Sequence, residues 1–282
     1  MAAGGALAAA LLWSFWPTLQ EMAHRWTNDP QYSHGYVVPV LALVLLWVRR
    51  EGRPPAVLRP SWWGTAFLGG AALLCLVGAG LNYATLDQLA LLVCVAGSCL
   101  LLGGWPALRW AWPAVVFLVF MLPLPYSLET ALSLPLRHLA TGASTYALQT
   151  LGFPAVAEGN VILIGDLKLG VLEACSGLSM LLTFFALSAF VTLLVRRPLA
   201  TQAVIFLSAA PIGVLMNVAR ITATAALARL VSSAAANVLF HDLAGWVMMP
   251  LALGLLWLEV RLLDRLFVAP EGTGPVPLFK GS

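Results

Sequence analysis

The sequence predicts an all-α polytopic membrane protein of about eight transmembrane helices, with a small extracytoplasmic β-hairpin and interfacial helices. Three observations carry this expectation. The 282 residues are 61% hydrophobic and only 10% charged, far from the balance of a soluble domain. Apolar runs repeatedly reach the roughly 20 residues that a helix needs to cross a bilayer core. Short polar segments separate these runs, and most of the basic residues fall in alternate segments. One integral-membrane domain over about 1–270 and a short cytoplasmic tail over 271–282 account for the chain.

The expected spans are approximately 4–20, 36–50, 62–81, 87–104, 110–125, 176–195, 199–219 and 243–266. The first begins "MAAGGALAAALLWSFWPTL", with no basic residue ahead of the apolar run, so it reads as a membrane helix rather than a cleavable signal. Glycines 69, 70, 78 and 80 are small residues that permit close helix approach in the third span. Short loops that hold basic residues stay cytoplasmic. With both termini inside, Arg49, Arg50, Arg53, Arg59, Arg109, Arg196, Arg197, Arg261, Arg265 and Lys280 fall on that side. Arg25, Arg137, Lys168, Arg220 and Arg229 fall outside. The longer non-spanning stretches, 21–35, 126–175 and 220–242, then also lie outside, and loops of such length usually carry function.

Residues 127–151 mix apolar residues with Glu129, Arg137 and His138, which suits an interfacial or re-entrant helix pair broken near Pro135 and Gly142. Beyond it, Gly165-Asp166 is a Gly-X turn signal between short aliphatic runs, predicting a hairpin of about 160–164 with 167–173.

The net charge of +3 is small for this length and there is no basic, aromatic-interleaved patch, so nucleic-acid binding is excluded. No HExxH, paired CxxC or Cys/His cluster has zinc-ligand spacing, and there is no P-loop; no metal or other cofactor is expected. Cys75, Cys94 and Cys99 lie in the third and fourth spans, where a thiol packs as a small hydrophobe. Cys175 stands apart, at an outer membrane boundary with no second cysteine on that side to pair with. Ser176 is a good N-cap for the helix expected there, and a helix N-terminus favours thiolate and offers N–H groups to an oxyanion. A boundary cysteine can also be inert.

A nucleophile needs a base and a charge stabiliser. Asn217 and Arg220 are three apart on one helix face at the outer end of the seventh span, and His241 precedes the eighth with Asp242 as a helix cap. Taken singly, Arg220 is equally a snorkelling anchor and His241 a solvated loop residue. Taken together, Cys175, Arg220 and His241 converge on one depth of one membrane face. His34, in "QYSHGYVVP", either lines the same cavity or is structural; His24 and His138 read as interfacial.

The strings "YSHGYVVP", "VAEGNVILI", "VLEACSGLSM", "NVARIT" and "HDLAGW" resemble the exosortase/archaeosortase family, the bacterial exosortases most closely, over about residues 25–265. Many members carry an Arg shortly after the Cys-Ser-Gly-Leu unit; here Ser179 and Met180 stand instead. The resemblance implies a membrane-embedded cysteine transpeptidase that cleaves a C-terminal sorting signal of exported proteins. Such a signal is of PEP-CTERM type: a Pro-Glu-Pro motif, an apolar helix and a basic tail. It implies Cys175 as nucleophile, Arg220 and His241 as the other catalytic positions, and the bacterial inner membrane as location, with the site facing outward. The partners are then exported substrates and membrane lipid. Two other readings stand beside it: a transporter or channel, which the bundle alone suggests, and a serine protease using Ser176 and His241.

Overall fold

The computed structural model describes residues 2–52, 60–171, 177–195, 197–230 and 243–266. They divide at Pro125 into two compact units. In the first, α1 (Ala2–Ser14) and α2 (Trp16–Asn28) lead into a 3-10 turn (Pro30–Tyr36), then α3 (Val37–Val48), α4 (Trp63–Leu81) and α5 (Ala84–Phe117). The second holds α6 (Tyr126–Thr150), strands β1 (Ala155–Glu158), β2 (Val161–Ile164) and β3 (Leu167–Gly170), then α7 (Leu178–Leu194), α8 (Leu199–Leu230) and α9 (Leu243–Leu266).

Four segments, Pro30–Gly52, Trp63–Leu81, Ala84–Met121 and Leu199–Leu230, are long and apolar enough to cross a membrane. Gly4–Ser14 and Leu178–Leu194 are shorter apolar helices. Large apolar side chains stay exposed along them, as lipid-facing surfaces require: Leu76 is 71% exposed and Leu81 69%. The 38-residue segment would measure about 57 Å as one straight helix, nearly twice a bilayer core. Gly104, at φ 67° and ψ −163°, breaks it where the fourth and fifth expected spans meet.

The first expected span, 4–20, is not one helix. It is interrupted at Phe15, because Pro17 has no N–H to donate and its ring crowds the carbonyl one turn back. The α4–α5 turn is closed by Asn82 in the left-handed region (φ 53°), with Tyr83 N–H donating to the Gly78 carbonyl at 2.9 Å. Close approach of these helices falls at Gly64 and Gly97 rather than at most of the expected glycines. A Cβ on Gly64 would lie 2.8 Å from the Gly97 carbonyl oxygen, whereas Gly69, Gly70 and Gly80 face open space.

In the second unit α6 runs unbroken through Pro135 and Gly142, so the expected helix pair is a single helix. The reason lies in its buried stripe: Ser133, Ala140, Thr141, Ser144, Thr145 and Leu148 recur at helical spacing and pack inward. That burial offsets the roughly 3 kcal/mol an internal proline costs. The expected hairpin is present as part of a three-stranded antiparallel sheet, order β1-β2-β3. Gly165 (φ 59°) followed by Asp166 makes the two-residue turn, and Gly159 (φ 60°) with Asn160 makes a second of the same kind that adds β1. The sheet buries Ala155, Ile162, Ile164 and Val171 in one core with Ala140 and Leu148 of α6 and Ile221 and Ala225 of α8.

Helix α8 continues eleven residues past the expected end at 219. Residues 220–230 fall in a stretch expected to be non-spanning, but Ile221 and Ala225 are buried four apart in the core shared with the sheet and α6, which holds the extension helical. Gly213 lets α8 lie directly on α7: a Cβ there would sit 3.3 Å from the Leu181 Cα. Ser208 of α8 donates to a Glu259 carboxylate oxygen of α9 at 2.8 Å.

Candidate active site

The first turn of α7 and the middle of α8 form the candidate site. Helix α7 begins at Leu178 with Gly177, at φ 84°, as its N-cap, one residue later than the expected Ser176 cap. A left-handed N-cap is open to glycine and strained for other residues. Gly177 also lies against α8: a Cβ added to it would stand 3.0 Å from Asn217 Nδ2. Together with the Leu181–Gly213 approach, this sets the antiparallel register of the two helices.

Arg220 follows Asn217 by three residues, on the same side of α8. It is half-buried, and its carbonyl accepts from Thr224 Oγ1 at 2.8 Å. Asn217 is 1% exposed. Ser144 of α6 donates to the Val218 carbonyl at 3.4 Å, so α6 backs the same turn of α8. On the sheet side, Val171 N–H donates to the Asn160 carbonyl at 2.8 Å, extending the β2–β3 pairing by one residue. Val171 is buried in the core that contains Ile221. The chain therefore enters the core it shares with α8 at Val171 and abuts α8 at Gly177, on either side of residues 172–176.

Of the three expected catalytic residues, Arg220 is described; Cys175 and His241 lie outside the described residues, as do Ser176, Glu173 and Asp242. Sequence reasoning singled out Asn217 and Arg220 but not Gly177, whose signal was the glycine directly after Cys-Ser, ahead of an apolar helix.

The other singled-out residues sit elsewhere. His34 is buried in the first unit, 6% exposed, with the backbone of Phe120 and Gln31 as its polar neighbours. Around it Trp26 Nε1 donates to the Met121 carbonyl at 3.0 Å, and Asp29 accepts from the Gln31 N–H and side-chain amide. His34 thus sits beside a network tying the 3-10 turn to the end of the α5 segment. His24 and His138 are exposed. Cys94 is buried and Cys75 and Cys99 are half-buried. Cys75 and Cys94 line, with Asp87, a cavity of about 530 Å³ in the first unit, walled by α1, α2, α4 and α5.

No curated protein and no solved structure matches the chain. Residues 26–258 match the family described as transmembrane exosortase, which takes in the sheet, the first turn of α7 and the whole of α8. The chain belongs to the transmembrane exosortase family.

Proposed function

We propose that this protein is a cysteine transpeptidase of the bacterial inner membrane that cleaves PEP-CTERM-type sorting signals through an acyl-thioester. Family membership supports a membrane sorting transpeptidase in general. The observation that supports the finer reading is that the chain enters the core shared with α8 at Val171 and abuts α8 at Gly177, on either side of residues 172–176. Cys175 is two residues from Gly177, a covalent reach of about 7 Å at full extension. Gly177 abuts Asn217, one helical turn from Arg220. This connectivity supports a reading in which the Cys175 thiol meets the Arg220 guanidinium.

In this reading the Cys175 thiolate attacks the scissile carbonyl carbon, and the carbonyl π electrons move to oxygen as an oxyanion. Arg220, permanently charged, stabilises that oxyanion. His241 gives a proton to the departing amine as the C–N bond breaks, leaving the acyl-thioester. An amine or water then attacks the thioester, loses a proton to His241 and restores the thiolate. The site faces outward in an eight-span, single-domain arrangement with both termini cytoplasmic. Support comes from the basic loops and from Arg50 over Trp47 and Arg261 over Trp257, each 4.2 Å from the ring, at the ends assigned to the inner interface.

The test is cleavage of a tagged fusion carrying a Pro-Glu-Pro motif, an apolar helix and a basic tail, by purified protein in lipid vesicles. Cys175→Ala, Arg220→Gln and His241→Ala each abolish cleavage in this account. Full activity of Cys175→Ala would end it, and with Ser176→Ala inactive would favour the serine alternative.

A further inference from the structure

The open edge of the small sheet offers a place for the polypeptide to be cut. Val171 N–H donates to the Asn160 carbonyl, so Leu169 and Leu167, two and four residues earlier, also bond toward β2. The N–H and C=O groups of Lys168 and Gly170 consequently point away from the sheet. Among the described residues no hydrogen bond satisfies them, and both residues are exposed. The opposite edge is partly covered: the outward carbonyl of Ala155 on β1 accepts from Gln149 Nε2 of α6 at 2.8 Å, while Ala157 stays exposed. The open edge also carries charge of both signs, with Asp166 in the β2–β3 turn at its end. Lys168 lies on its outer face, and Arg229 reaches the β2–β3 turn, 3.8 Å from where a Gly165 Cβ would be. Glu158 is on the far strand.

We infer that the substrate adds to β3 as a fourth, antiparallel strand, with an acidic side chain opposite Lys168. This rests on the proteolytic reading above and names how that site takes its substrate. The geometry sets two requirements. The residue opposite Lys168 exchanges both backbone hydrogen bonds with it and shares its face, so an acidic side chain there pairs with the ammonium group. The residues on either side turn their N–H groups away from the sheet, where proline loses nothing. A Pro-acid-Pro tripeptide meets both requirements. Strand β3 ends five residues before Cys175 in the sequence, so recognition and cleavage fall on one short stretch of chain.

The experiment uses full-length protein in vesicles and the fusion described above. Gly170→Pro removes an outward donor without touching the β2 ladder, and Lys168→Glu reverses the charge; each raises KM about tenfold or more with kcat changed far less. Changing the fusion's glutamate to lysine restores binding to Lys168→Glu. Ala157→Pro, the equivalent change on β1, leaves KM unchanged. Benzoylphenylalanine at Gly170, but not at Ala157, photocrosslinks the fusion in a Cys175→Ala background. Unchanged KM in Gly170→Pro, no charge-swap rescue, or no crosslink at 170 overturns the inference. The crosslink needs no turnover, so it decides docking even if Cys175→Ala still cleaves and the thiol mechanism falls.

Discussion

Gly177→Ala is the substitution that bears most directly on how the site is held together. The wild-type residue sits at φ 84°, where a Cβ costs roughly 1–2 kcal/mol. The added methyl would also stand 3.0 Å from Asn217 Nδ2 and 3.4 Å from its Cγ, so Asn217 must give by a few tenths of an ångström or the first turn of α7 must move off α8. The two terms together come to about 2 kcal/mol, which a protein of this size tolerates with its fold intact. Function is more sensitive, because a shift of about 1 Å between reacting groups lowers rate on the order of 100-fold. Cleavage kinetics of the tagged fusion, read beside thermal unfolding by tryptophan fluorescence, separate the two effects. The expectation is a Tm lower by several degrees, kcat reduced 10- to 100-fold and KM little changed. Wild-type kcat in Gly177→Ala would refute the idea that this contact positions the nucleophile.

Other consequences follow from the same geometry. Arg220→Lys keeps the charge but loses the planar fork, and is expected to cost on the order of 100-fold or more in kcat without lowering Tm, as measured by the same cleavage and unfolding assays. Pro135→Ala, at an exposed position inside continuous α6, removes a helix-interior proline worth about 3 kcal/mol and should raise Tm by several degrees with unchanged kcat. Ile164→Ala empties a fully buried position beneath the sheet and should cost about 2–5 kcal/mol, with loss of activity because β3 is seated there. Gly64→Leu forces α4 off α5 at their closest approach, and its yield of folded protein should fall sharply against Gly69→Leu, which meets open space.

Much of this was legible in the chain itself. Hydropathy placed the spanning segments of α4, α5 and α8, and Gly165-Asp166 placed the β2–β3 turn, because both signals are local. Where local signals competed with packing, packing won. Pro135 and Gly142 argue for a break, but the stripe of serines, threonines and alanines on α6 finds a partner in α8 and the sheet, and the helix continues. The expected span stops at 219, yet Ile221 and Ala225 are buried in the core shared with the sheet and carry α8 on for three more turns. The second turn, Gly159-Asn160, carried the same kind of signal as the first; the run before it, with Ala155 and Ala157, was too weakly β-forming to stand out. The Gly177–Asn217 contact joins residues forty apart, and a single sequence has no means of pairing them.

The central claim is that Cys175 carries the acyl group. Its most direct test is intact-protein and peptide mass spectrometry of enzyme quenched in acid during turnover of the tagged fusion. The account predicts a covalent adduct of the upstream fragment on Cys175, released by hydroxylamine and absent in Cys175→Ala. An adduct on Ser176 or elsewhere, or continued turnover by Cys175→Ala, would contradict it.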